Sequence, residues 1–146
     1  MKLIIALLLM LSLSAQADDL YVDINLHAHH WNRTDVAKYN LNEVNPGIGL
    51  HFVDGDYHKL IGVYKNSDRK WSKYALLAWT PVNLGPVHVG AVAGVVTGYS
   101  SPYLPAAGLY TTIAMTEKYR LNIAMVPTVR SIKCYGFAGF QLSVKF

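Results

Sequence analysis

From Leu20 onward, apolar and polar residues alternate with a period of two over segments of about ten residues, which is the signature of half-buried strands and not of helices. In the first segment Val22, Ile24, Leu26 and Ala28 share one face, and Asp23, Asn25, His27 and His29 share the other. Seven further strands are expected over Pro46–Val53, Tyr57–Tyr64, Trp71–Thr80, Leu84–Gly98, Tyr103–Met115, Tyr119–Pro127 and Lys133–Phe146. Short polar or Gly/Pro-bearing links separate most of them: Asp54-Gly55-Asp56, Asn66-Ser67-Asp68, Asn83-Leu84-Gly85, Ser100-Ser101-Pro102 and Thr116-Glu117-Lys118. Links this short favour an up-and-down antiparallel order. One connection, Asn32 to Asn45, is longer and polar.

The last segment indicates which face meets what. Phe140, Leu142, Val144 and Phe146 form an apolar stripe, and Gln141, Ser143 and Lys145 a polar one. A soluble lipocalin-like barrel binding a small apolar ligand would show the same alternation. However, the terminal Phe of an amphipathic last strand resembles the end signature of bacterial outer-membrane proteins. Aromatic residues also fall near expected strand ends, among them Tyr21, Trp31, Tyr64, Trp71, Trp79, Tyr99, Tyr103 and Tyr119. The fold expected is all-β: an eight-stranded antiparallel up-and-down transmembrane β-barrel. A bilayer supplies no water for unpaired backbone groups, so strands cross it only as a closed sheet. Eight strands enclose a lumen that side chains nearly fill or that holds one small ligand, which excludes a diffusion pore.

Composition adds a route to that membrane. Lys2, the apolar run Leu3 to Leu13 and Ala15-Gln16-Ala17 read as a signal peptide over residues 1–17, leaving a single barrel domain over 18–146. The apolar run is too short for a comfortable transmembrane helix. The bacterial outer membrane is therefore the expected destination. The formal charge of +4 comes from scattered Lys and Arg and not from a stripe, so anionic lipid is a better partner than nucleic acid. One cysteine, Cys134, makes no internal disulfide. It reads as a small buried or lipid-facing residue.

Three histidines, His27, His29 and His30, stand in "LHAHHWN". Alternation puts His27 and His29 in the lumen beside Asp23 and Asn25, and His30 at the outer end. Lumen histidines can be plain members of a hydrogen-bonded polar filling. Histidines at i and i+2 on a strand face can share a metal ion, but the spacing places no third ligand, so no metal is assigned.

The runs "LHAHHWNRTDVAKYNLNEVNPGIGL", "IGVYKNSDRKWSKYALLAW" and "YLPAAGLY" follow one another in an order that resembles the lipid A palmitoyltransferase family (PagP), eight-stranded outer-membrane enzymes. The resemblance runs from about Ile24 to Pro127 as a series of short matches. It implies transfer of a fatty acyl chain from a membrane phospholipid to lipid A, with no cofactor, no metal and no nucleic acid, by a monomer. By position, His27 matches the family's histidine and Ser67 its serine, whereas its aspartate is replaced by Asn66. Histidine can move the proton, serine can be the nucleophile or a positioning donor, and asparagine can orient an imidazole without stabilising its cation. The family's amphipathic helix before the first strand has no counterpart after the leader.

The "YNLNEVNPGIG" and "YKNS" stretches also resemble small uncharacterised exported proteins of bacteria and phages, in which Asn-Ser is the usual pair. The "NPG" within them also reads as an ordinary turn into the second strand. Pro86, Pro105 and Pro127 lie in or at the ends of expected strands, where each removes a ladder donor. They either mark strand ends or open gaps in the wall through which an acyl chain could slide. The competing reading is a non-enzymatic, bacteriophage-encoded outer-membrane barrel that alters the envelope or blocks a receptor through the loop Asn32 to Asn45.

Overall fold

The computed structural model describes residues 17–146, so the expected leader lies outside the described residues except for Ala17. Eight antiparallel strands close into one barrel in sequence order: β1 Asp19–His30, β2 Val44–Asp54, β3 Tyr57–Lys65, β4 Trp71–Leu84, β5 Val87–Val96, β6 Leu104–Ala114, β7 Tyr119–Val126 and β8 Phe137–Lys145. Pairing of β1 with β8 closes the ring. At one end the strands are joined by tight turns, two of them through the left-handed glycines Gly55 and Gly85. At the other end lie the longer connections, including a helix α1, Arg33–Tyr39, and a short 3-10 turn at Arg130–Ile132. Long loops at one end and tight turns at the other are the habit of bacterial membrane barrels.

The outer wall explains why this surface is apolar. Ile24, Ile48, Leu50, Leu77, Val95 and Leu109 are exposed on it. Two aromatic sets bracket that band: Trp31, Trp71 and Tyr103 at the long-loop end, and Tyr57, Trp79 and Tyr119 at the tight-turn end. An apolar band between two aromatic girdles fits a β-barrel membrane protein. No helix among the described residues is long and apolar enough to cross a membrane.

The interior is polar toward the tight turns. Asp23 accepts from Ser143, whose hydroxyl is 3.3 Å from His51 Nδ1, and His51 Nε2 lies 2.8 Å from His58 Nδ1. His58 Nε2 in turn lies 2.9 Å from Thr80 Oγ1. All of these side chains are buried. A buried polar group costs free energy unless it is paired, so the chain of bonds is what lets these residues fill the lumen floor. Above it, Leu60, Tyr74, Val92, Val96, Leu104 and Tyr110 make an apolar upper interior. Tyr74 crosses the lumen against Gly49 and Gly62, where an added Cβ would stand 2.1 Å and 2.5 Å from its hydroxyl.

The first strand departs from simple alternation. Asp23 points inward as expected, and Tyr21, read as a strand-end aromatic, is buried in the lumen as well, but the register of β1 slips between Asn25 and His27 against both β2 and β8. This β-bulge spends one extra residue and reverses the parity beyond it. Ala28 and His30 are therefore buried, while His27 and His29 are exposed on the outer side. That corrects the expectation that His27 and His29 share the lumen with Asp23 and Asn25. A second bulge, between Trp79 and Val82, accommodates Pro81.

Two loops also differ from the expected plan. The connection after Asn32 contains α1, whose N-cap Asn32 accepts from the amides of Thr34 and Asp35 at 2.9 Å and 3.3 Å. The helix ends at Asn40 in the left-handed region, φ 51°. The start of the expected last strand is instead part of a loop, held by the Val129–Cys134 bridge. Pro86 sits in the β4–β5 turn and Pro127 just past β7, so both mark strand ends, while Pro105 lies within β6.

Candidate functional site

The β3–β4 turn is built around Asn66. Its Oδ1 accepts from the amides of Asp68 and Lys70, both at 2.9 Å, and its Nδ2 donates to Ser72 Oγ and to the Gly98 carbonyl, also at 2.9 Å. The side chain is fully buried and is spent on the turn, not on orienting a histidine. A carboxylate here would have no hydrogens for Ser72 and Gly98, which is a local reason for asparagine. The turn delivers Ser67 to the mouth of the lumen, where its carbonyl accepts from Asn42 N at 2.8 Å.

Ser67 meets a histidine, and the histidine is His30. Ser67 Oγ lies 3.2 Å from His30 Nε2. The other ring nitrogen, Nδ1, faces Glu43 Oε1 at 3.4 Å, and the His30 backbone amide donates to the same oxygen at 2.9 Å. Glu43 is clamped in turn by both terminal nitrogens of Arg33, at 2.6 Å and 2.9 Å. That fork holds the Glu43 carboxyl well below its ordinary range, at about 2. A hydroxyl, an imidazole and an ionised carboxylate thus stand in line, the imidazole 2 % exposed.

The order is that of a proton-relay triad. His30 Nδ1 makes no hydrogen bond, but the carboxylate 3.4 Å away would favour the tautomer with hydrogen on Nδ1, in which Nε2 is free to accept from Ser67. The 3.4 Å separation is ion-pair range and looser than a hydrogen bond, as catalytic contacts often are before a substrate closes them.

His27 stands elsewhere. It is exposed beside the bulge, its ring stacked on Phe140 with centroids 6.5 Å apart. Of the three positions matched through the family resemblance, the structure brings Ser67 and Asn66 together as neighbours in one turn and leaves His27 outside. Alternation alone could not find His30, because the bulge is invisible in the pattern. Glu43 had a weak signal, as an acidic residue just before β2 in a segment that returns to the end of β1.

Below Ser67 the lumen opens into a cavity of about 140 Å³, lined mostly by apolar side chains such as Leu60, Leu76, Val92, Val96, Ala106 and Ala124. A smaller space of about 60 Å³ between His30, Ser67 and Phe137 joins it to the loops. An apolar cavity tends to stay dry and to accept an apolar guest. The larger cavity is also lined by the outward-facing Leu26 and His27 at the bulge and by Ala107 of β6. Near Ala107 the β6–β7 ladder has ended, at Leu109–Met125, although β5–β6 continues to Val96–Leu104. The wall there is unlaced over Leu104–Gly108, with Pro105 in the gap.

The chain is similar in fold to a de novo designed protein, TMB2.3, solved by solution NMR: the TM-score is 0.60 at 16% identity, over 88% of this chain and 97% of that one. That protein is a designed eight-stranded transmembrane barrel. No protein-family model matches the chain, and no curated protein matches it. The likeness supports the barrel architecture.

Proposed function

We propose that this protein is an outer-membrane acyltransferase in which Ser67, His30 and Glu43 do the work that the family resemblance would give to Ser67, His27 and Asn66. The observation that carries the reading is the Glu43–His30–Ser67 line standing over an apolar cavity. The donor is a phospholipid whose acyl chain lies in the cavity, entering through the unlaced β6–β7 wall. The acceptor is lipid A in the outer leaflet, facing the long-loop end.

His30 Nε2 takes the Ser67 hydroxyl proton as Oγ adds to the ester carbonyl, and Glu43 stabilises the resulting imidazolium. Breaking the ester C–O bond releases the lysophospholipid, which receives the proton from Nε2. A lipid A hydroxyl then gives its proton to His30, attacks the acyl-Ser67 ester and regenerates the serine. Each proton taken is returned, and neither metal nor cofactor enters.

The test is lipid A mass spectrometry from a Gram-negative host lacking its own palmitoyltransferase. Addition of one acyl chain by the wild type, lost in His30→Ala and Ser67→Ala proteins that still fold, supports the reading. Unchanged lipid A from folded wild-type protein overturns it.

A second reading, a loop-mediated envelope protein, is favoured by how the loops brace one another. Tyr39 stacks on Tyr135 with centroids 4.7 Å apart, and Arg130 reaches Asp35 at 3.4 Å. Replacing Arg33–Tyr39 by a flexible linker would abolish that function and leave a phenotype-free barrel.

A further inference from the structure

Glu43 does not face His30 alone. The bulge that turned His27 and His29 outward set them two residues apart on one face at the long-loop rim, both exposed. The Ala28 amide donates to the Glu43 carbonyl at 3.0 Å, so the backbone pins Glu43 across from both histidines. One ligand atom from each of His27, His29 and Glu43 lies within 4.8 Å of the other two. The sequence offered two histidines and no third ligand; the fold supplies it from the far side of α1.

From this geometry we infer that His27, His29 and Glu43 form a zinc site at the outer rim of the barrel, with water in the fourth position. Two imidazoles and one carboxylate are a donor set that suits Zn²⁺ and leaves it an open position. Ligand atoms on a tetrahedral zinc stand about 3.4 Å apart given bond lengths near 2.1 Å. Closing from 4.8 Å needs only side-chain rotation, which two exposed histidines allow. The cost falls on Arg33, whose fork now holds both Glu43 oxygens and must yield one of them.

That competition makes the site distinctive. Zinc and Arg33 draw on the same carboxylate, so removing Arg33 strengthens metal binding while removing His29 weakens it. If the acyl-transfer reading holds, zinc also draws Glu43 away from His30 and slows transfer. The binding itself is independent of that reading and is measured without any activity.

The experiment is zinc titration by calorimetry of the untagged, refolded, full-length mature protein in detergent, with Co²⁺ absorption as a second readout. The expected result is one zinc per chain, a tetrahedral Co²⁺ spectrum, affinity at least about tenfold weaker in His29→Ala and in His27→Ala, and tighter binding in Arg33→Gln. Circular dichroism verifies that each variant is folded. The site is overturned if the wild type binds no zinc at one per chain, or if the His27→Ala/His29→Ala double variant binds it equally well. Unaltered affinity in Arg33→Gln overturns the sharing of Glu43.

Discussion

Ser67 Oγ and His30 Nε2, 37 residues apart in sequence, face each other at 3.2 Å across the mouth of the lumen. The contact exists because a bulge in β1 turns His30 inward and because Asn66 folds the β3–β4 turn beneath Ser67. Removing either partner should lower acyl transfer by about 10²- to 10⁴-fold, the range a positioned general base or its nucleophile commands. His27→Ala should retain transfer in zinc-free buffer. A time course of lipid A acylation in proteoliposomes separates these outcomes, and loss with His27→Ala together with retention in His30→Ala would return the role to His27.

Asn66 departs from the aspartate of the palmitoyltransferase pattern, and its bonds account for the difference. Asn66→Asp keeps the two accepted amide bonds but loses both donated ones and sets a carboxylate against the Gly98 carbonyl. The variant should be less stable by about 1–3 kcal/mol and should not gain activity. Urea unfolding in detergent, followed by tryptophan fluorescence, reads the first, and lipid A mass spectra the second. A stable Asn66→Asp with faster transfer would show the position to be catalytic.

Much of the barrel was legible in the alternation. Strand number, antiparallel order and the inward faces of Gln141 and Ser143 all follow from a period of two, because each pleat must send one residue to lipid and the next to the lumen. The candidate site was legible only in part. Ser67 is marked by its turn, but choosing between His27 and His30 depends on a one-residue slip. The slip is set by how β1 meets β2 and β8 at once, which is information from two distant segments. α1 was hidden for another reason: seven residues capped by Asn32 give too short a period for a helical pattern to emerge.

Gly49 and Gly62 leave space for the Tyr74 hydroxyl, which lies 3.1 Å from Gln141 Nε2. A methyl group at either glycine would also meet a backbone carbonyl 2.6 Å away, so the neighbouring strand must shift as well. Gly62→Ala should cost about 1–3 kcal/mol, the usual penalty of overpacking. Heat-modifiable migration on gels should then show unfolding at lower temperature. An unchanged transition would mean that Tyr74 is free to swing aside.

Glu43 carries a clear pH signature. Its carboxyl is lowered from an ordinary 4.5 to about 2, chiefly by the Arg33 hydrogen bonds. A depressed folded value means that the ionised pair contributes stability above pH 4.5 and loses it as pH falls toward 2. The loop carrying α1 should therefore stay docked at pH 3.5. In Arg33→Gln the titration should move back up toward the ordinary carboxylate range. Carbon-detected NMR of the Glu43 carboxyl reads both midpoints, and a wild-type midpoint near 4.5 would dissolve the clamp.

The bulge itself can be tested through histidine reactivity. With the register as described, His29 is exposed on its side chain by 53%, whereas His30, His51 and His58 are each 2% exposed or less. Brief diethyl pyrocarbonate treatment of the folded barrel, followed by peptide mass spectrometry, should label His27 and His29 and spare those three. Had β1 alternated without a slip, His27 and His29 would share the lumen with Asn25, and His30 would take the label. Deleting Leu26 removes the extra residue, and simple alternation from Asn25 then still turns Ala28 and His30 inward, so the first labelling pattern should survive the deletion. Label moving to His30 after the deletion would instead place the slip elsewhere in β1.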